Sequence, residues 1–201
     1  MAARGYYQAR VEVEASISRV LTSSNSGLVA SQDHPIWYRE LFAPSVAVKL
    51  ARAQDLAGYR AHQVYIRNAA HVPPPVEAVR DMMPALFELL ASEPQACVRA
   101  VLGHFAFVFT HPYADGNGRM GRFLMNVMMA SGGYPWTVIE LARRNEHMAA
   151  LDAASSRENI APFAEFVASS MRREDELLAV RQPANAAASS LTKATETRRR
   201  G

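Results

Sequence analysis

Residues 111–122 read His-Pro-Tyr-Ala-Asp-Gly-Asn-Gly-Arg-Met-Gly-Arg, and most of the chemistry this chain can offer lies there. His111 is a proton acceptor near neutral pH, and Asp115 is a hard oxygen ligand. Arg119 and Arg122 are two guanidinium forks, and Gly116, Asn117 and Gly118 leave backbone N–H groups approachable. A base, a metal anchor, bare N–H donors and positive forks together are what a polyphosphate site requires. A turn without function does not predict two cations at a helix start, where the helix dipole disfavours them unless an anion joins them.

Three better-known loops match in part. As a calcium loop of the EF-hand type, Asp115-Gly116-Asn117-Gly118 would put Tyr113 and Leu124 where carboxylates are required. As a P-loop, Gly116 to Gly121 would put Arg122 and Phe123 where Lys and Ser or Thr belong. As a dinucleotide fingerprint, Gly116 to Gly121 satisfies G-x-G-x-x-G, and Glu140 lies at the distance of a ribose contact. Against that reading, Asp115 would repel a pyrophosphate lacking a metal, and no further βα alternation follows Glu140. Dinucleotide binding is the remote alternative.

The elements that must position this loop read as mostly helical. Val13, Ile17, Val20 and Leu21 form one face of a helix over 6–21, and Ser23 to Gly27 is a polar turn. A second helix begins near Pro35 and is punctuated at Pro44. Gln63-Val64-Tyr65-Ile66 is β-branched and aromatic, Asn68 can turn the chain, and His71-Val72 can pair back before Pro73-Pro74-Pro75, which predicts a short hairpin. Asp81 to Leu90 is another helix, with Pro84 tolerable in its first turn. Ser92 and Gln95 have capping-box spacing. The run they open, Val98 to Phe109, is apolar on nearly every face and is expected to be the buried central helix, stopped by Pro112. Arg119 to Ser131 is a helix ended by Gly132-Gly133, and 143–156 and 162–180 follow. From Arg181 the chain has almost no large apolar side chains and is expected to be disordered.

Composition bounds the rest. A chain of 201 residues with 49% hydrophobic and 20% charged content is expected to bury one core. Its net charge of +3 equals the contribution of Arg198, Arg199 and Arg200, so nothing in the body argues for a nucleic-acid surface. The single cysteine, Cys97, reads as a buried structural thiol in a reducing compartment. The N-terminus lacks a signal-peptide core and no apolar run reaches membrane-spanning length, so a soluble cytoplasmic protein with no membrane partner is expected.

The 111–122 stretch resembles the signature of the Fic (filamentation induced by cAMP) domain family, H-P-F-x-[D/E]-G-N-G-R-x-x-R, with Tyr113 in place of Phe. The resemblance extends through Gly58-Tyr59-Arg60, Val64-Tyr65-Ile66, His71-Val72-Pro73-Pro74 and Phe123 to Val138, about residues 35 to 170. It implies a mostly α, Fic-type helical bundle with a central buried helix, a motif loop and helix, and a small β-hairpin flap. The expected organisation is an N-terminal helical extension at 1–34, a Fic domain at 35–175 and a basic tail at 176–201.

For activity, the resemblance implies transfer of AMP from ATP to a Ser, Thr or Tyr hydroxyl of a target protein, with release of pyrophosphate. His111 would be the base and Asp115 would hold Mg²⁺. Gly116, Asn117 and Gly118 would form an anion hole, and Arg119 and Arg122 would fork onto the phosphates. Val64, Tyr65, Ile66 and Arg67 would be the flap over nucleotide and target, and His147 a nucleotide contact where relatives often have tyrosine. Transfer of UMP, phosphocholine or phosphate is the alternative within the family, and a nucleotide-binding regulatory or toxin module the alternative outside catalysis. The family's inhibitory motif, [S/T]-x-x-x-E-[G/N], has no full match: Ala154 to Asn159 lacks the hydroxyl, and Ser170 to Asp175 ends in Asp. A separate antitoxin-like inhibitory partner is one expectation that follows.

Overall fold

The computed structural model describes residues 1–23, 25–67 and 69–174. The expected tail and the expected turn residue Asn68 lie outside the described residues. Helices α1 (Ala2–Thr22) and α2 (Ser26–Ala47) form an antiparallel pair, in which Asn25 caps α2 by accepting the Leu28 N–H at 2.9 Å. A polar clamp joins them. Ser16 donates to Asp33 Oδ2 at 2.7 Å and accepts from the Trp37 indole at 2.9 Å, while Arg19 pairs with Asp33.

Helix α2 starts nine residues earlier than Pro35, which lies inside it. A proline there leaves the Ser31 carbonyl without its helical donor. The His34 ring fills the gap: its Nδ1–H donates to Ser31 O at 2.9 Å. The helix therefore runs through a residue that ordinarily breaks one.

The described residues of 48–75 are irregular apart from a 3₁₀ turn at Ala53–Leu56. Helix α3 (Val76–Ser92) is longer than expected, so Pro84 lies in its third turn rather than its first. Both Pro84 and Arg80 are exposed, so water can satisfy the carbonyl that the proline leaves unpaired. The expected capping box does not form. Ser92 still belongs to α3 and donates back to Leu89 O at 3.1 Å, and Gln95 caps α4 (Ala96–Thr110) without a side-chain bond.

The central helix is α5 (Asn117–Ala130), not α4. Eight of its residues, from Phe123 to Ala130, are buried in an unbroken run, whereas α4 buries a single face: Ala100, Gly103, His104, Phe107 and Thr110. The apolar residues on the rest of α4 have another use, since Phe105, Val108 and Phe109 line a cavity. Cys97 is exposed near the start of α4, because the buried stripe begins beyond it. A 3₁₀ turn at Leu141–Arg143 leads into α6 (Arg144–Ser156), and residues 161–174 form a further helix, α7. Among the described residues no helix is long and apolar enough to cross a membrane.

Candidate active site

His111 is the C-cap of α4 and adopts a left-handed backbone conformation, φ 51° and ψ 58°. That geometry turns the chain out of the helix and makes the motif loop possible. The His111 Nδ1 lies 3.1 Å from Val108 O, an acceptor only, so Nδ1 carries the proton and Nε2 keeps its lone pair. Burial pushes the ring's pKa below its ordinary value, and the charges of Arg60 and His71 push the same way; the Val108 bond and Asp115 oppose them. The net effect is a neutral imidazole at pH 7 with Nε2 available as a base.

The loop after His111 is held from beneath and closed on itself. Tyr113 is buried and stacks on Tyr38 with ring centroids 3.7 Å apart. Burial raises the phenolic pKa of Tyr113, and that of Tyr38 is pushed up to about 12, so both rings stay neutral. Asn117 is buried and bonds reciprocally to Tyr113, accepting its N–H at 2.9 Å and donating to its carbonyl at 2.7 Å. Its side chain is therefore the clasp of the loop, and only its backbone N–H is left for an anion.

Gly116 enters α5 at φ 84°, where an added Cβ would stand 3.0 Å from the Phe42 ring. The first N–H groups of α5, those of Asn117 and Gly118, have no intrahelical acceptor and point out of the positive end of the helix. Gly121 lets α5 approach α4 at the same place, since a Cβ there would lie 2.9 Å from Val108.

Both arginines flank that helix end. Arg119 sits 5.2 Å over the Phe42 ring and reaches Asp115 Oδ2 at 3.3 Å. Arg122 is more deeply placed, and burial lowers its pKa. Among the described residues no carboxylate lies within ion-pair distance of it. A guanidinium at a buried helix N-terminus without a counter-ion is an anion site in waiting.

Asp115 is exposed and its Oδ1 accepts the Gly116 N–H at 2.6 Å. It is one carboxylate alone, and among the described residues no group of three or more His, Cys, Asp or Glu could hold a metal ion. That donor set fits Mg²⁺, which keeps its waters and is carried by substrate phosphates with one or two carboxylates. It does not fit a resident metal held by protein ligands alone.

These residues share one cavity of about 900 Å³. His111, Asp115, Gly116, Asn117, Gly118, Arg119 and Arg122 form its polar end. Tyr65, Ile66 and Arg67 line it from the 61–75 segment, and Ile139, Met148 and Leu151 line it together with Glu140, Arg144 and Asp152. Val64 is not among its lining residues.

No strand pairing occurs among the described residues of the expected hairpin. Pro73, Pro74 and Pro75 have no N–H groups to offer a partner strand. The two arms are instead tied by a side chain, Gln63 Nε2 donating to Pro73 O at 2.9 Å. Tyr65 is 77% exposed at the tip.

His147 lines the cavity wall but is itself buried, its Nε2 3.3 Å from Nε2 of His104 and its ring between those of Phe163 and Phe166. Burial lowers its pKa to about 4. Two residues build the site in ways the sequence did not signal. Asn126 is buried and exchanges hydrogen bonds with the Thr137 backbone, pinning the strap that reaches Ile139. Arg60 donates to the His111 carbonyl at 2.9 Å. Neither contact has a local sequence signal.

Residues 37–129 match the model of the Fic/DOC family. A protein adenylyltransferase Fic of Nematostella vectensis is 34% identical over 122 residues, covering 59% of this chain and 28% of the relative. One of Drosophila yakuba is 35% identical over 114 residues, covering 55% and 22%. The chain thus spans less than a third of the length of these relatives. Among solved structures, Fic-1 (residues 134–508) of C. elegans superposes with a TM-score of 0.73 at 22% identity, covering 91% of this chain and 52% of that one. A Fic family protein of Desulfovibrio desulfuricans superposes with a TM-score of 0.63 at 20% identity, covering 87% and 54%.

Proposed function

We propose, from the match of residues 37–129 to the Fic/DOC family model, that the chain is a Fic-type protein adenylyltransferase, moving AMP from ATP to a hydroxyl side chain of a target protein. The observation that carries this reading is the pairing, across one cavity, of a neutral imidazole with its proton fixed on Nδ1 and a helix N-terminus with two arginines. A base and an anion cradle facing each other suit in-line displacement at phosphorus.

In that reaction His111 Nε2 takes the proton of the target hydroxyl as its oxygen attacks the α-phosphorus. The bond from the α-phosphorus to the bridging oxygen breaks, and pyrophosphate leaves with the electron pair. The N–H groups of Asn117 and Gly118 stabilise the charge that develops on the phosphates, and they are preorganised because α5 already holds them. Arg119 and Arg122 fork onto the leaving pyrophosphate, as flexible lysines would with less geometric control. Asp115 would hold the Mg²⁺ that arrives with the nucleotide, and the ion supplies further charge neutralisation. The mixed lining of Ile139, Met148 and Leu151 with Glu140, Arg144 and Asp152 suits a nucleobase, which has apolar faces and polar edges.

The target would lie along Val64 to Arg67. Its recognition by an exposed segment of this kind rests on main-chain pairing, which carries little sequence information. Transfer of a terminal phosphate is the competing chemistry. Supplying ATP labelled at the γ-phosphate and assaying released pyrophosphate separates the two. The proposal expects the γ label to leave entirely as pyrophosphate; γ label retained on protein would make the enzyme a kinase instead.

A further inference from the structure

The irregular segment from residue 60 to residue 75 passes beside the base, and one buried side chain gathers its two ends. Arg60 is 6% exposed. Its N–H donates to Pro112 O at 2.8 Å and its Nε to His111 O at 2.9 Å. Its Nη1 donates to His62 O at 3.1 Å and its Nη2 to Pro74 O. Every one of these acceptors is a neutral carbonyl, and among the described residues no carboxylate lies within ion-pair distance.

Burying a guanidinium whose bonds all go to neutral carbonyls is costly, even with Glu77 favouring its charge at longer range, so its value lies in geometry. A guanidinium offers five N–H donors in a fixed planar fork, which a lysine cannot reproduce. Here the fork spans three chain segments at once: the motif loop, the residue entering the flap and the residue leaving it. His71 adds a second tie from the same segment, its Nε2 donating to Phe109 O at 2.8 Å while its ring stacks on Phe109.

The tie to His111 falls where the backbone most needs support. Among the described residues His111 is one of three non-glycine residues with positive φ, a conformation that side chains with a Cβ adopt at a cost. Its carbonyl is the atom that Arg60 Nε holds. The nucleotide end of the site, by contrast, has no bond to Arg60: the N-terminus of α5, Arg119 and Arg122 are built from α5 itself and from Phe42 and Tyr113.

We infer that Arg60 is a positioning residue for the transfer step: it locks the His111 backbone and both ends of residues 62–74 into one frame, so that a hydroxyl docked along Val64 to Arg67 meets His111 Nε2. The inference rests on the adenylyltransferase reading for its catalytic consequence, but not for its structural one. It separates two functions of a single cavity. Arg60 governs where acceptor and base meet, and leaves nucleotide binding alone.

The test uses the full chain with R60K and R60M. Lysine keeps the charge and loses the fork; methionine loses both. Both variants are expected to bind MgATP within about twofold of wild type and to lose about 100-fold in transfer, the scale of a misplaced reacting group. The charged or titratable groups that act on His111 are Arg60, His71 and Asp115, so removing one cation should raise its ring titration in R60M and not in R60K. NMR of the His111 ring and of its HN–Hα coupling, which reports φ, reads the structural claim without any turnover. Altered coupling in both variants supports the inference even if wild type transfers nothing. R60K with wild-type transfer and wild-type coupling would overturn it, and so would loss of MgATP affinity in proportion to transfer. If R60M fails to fold, R60K alone decides.

Discussion

The proposed base, His111, is defined by which nitrogen holds a proton. Val108 O can only accept, so it fixes the Nδ1–H form of His111 and leaves Nε2 facing the work. Burial holds the ring's pKa below 6.5, which keeps the neutral form populated on the acid side of neutrality. Since the neutral ring is the active one, activity falls as pH drops through that lowered pKa. The acid limb of the kcat/KM profile is therefore expected below pH 6.5, measured by transfer rates on a fixed target; a limb at or above 6.5 would contradict the assignment. That His111, Asp115, Arg119 and Arg122 would share one cavity was legible in the sequence because all lie within residues 111–122. The clasp of Asn117 on Tyr113 was not. An asparagine between two glycines looks like an anion ligand, and only its burial shows that its side chain is already spent. The role of Arg60 was illegible for a different reason: its partners lie up to 52 positions away.

At the scale of elements, the site is the meeting of a helix end and a helix start. Helix α4 delivers His111, α5 delivers N–H donors and cations, and the loop between them has to reverse within a few residues. Gly116 makes that reversal possible, and Gly116→Ala combines a left-handed φ with a Cβ driven toward Phe42. It is expected to cost on the order of 1–3 kcal/mol in stability and to weaken MgATP binding, read by chemical denaturation and calorimetry. An unchanged protein would show that the loop is not strained there. Helix existence was readable from periodicity, but rank and boundaries were not. The apolar run of α4 looked like a core helix, because periodicity cannot distinguish side chains facing a protein core from those facing a cavity. Pro35 looked like a helix start, because a histidine ring supplying the missing donor leaves no mark in the pattern. The hairpin is not borne out among the described residues: its expected second arm, His71-Val72, is turned toward α4, where the His71 ring bonds Phe109 O and stacks on Phe109.

At the scale of the whole molecule, stability is coupled to pH through histidines that the bundle keeps neutral. His34 and His147 are both buried, each with its pKa lowered by burial to about 4, and burial lowers that of His104 as well. Between the unfolded value near 6.5 and the folded value near 4 the unfolded chain binds more protons, so stability rises with pH across that window and levels off above it. Each of the two is worth on the order of 3 kcal/mol when the full shift is traversed. Melting temperature is expected to be flat above about pH 6.5 and to fall steadily toward pH 4, with a shallower slope in His34→Gln. A flat profile from pH 7 to 4 would mean these rings are charged or exposed. The same pairing of residues far apart in sequence holds α1 to α2 through Ser16, Asp33 and Trp37, a clamp that no local pattern announces.

The central claim is that His111 drives transfer of AMP to protein. Wild type and His111→Ala are each incubated with a cell lysate and MgATP labelled at the α-phosphate, and protein-bound label is counted. Wild type should label discrete protein bands, and His111→Ala should reduce that label by about 10²–10⁴-fold while binding MgATP as before. Equal labelling by the two proteins, or none by wild type under conditions where it binds MgATP, would contradict the account.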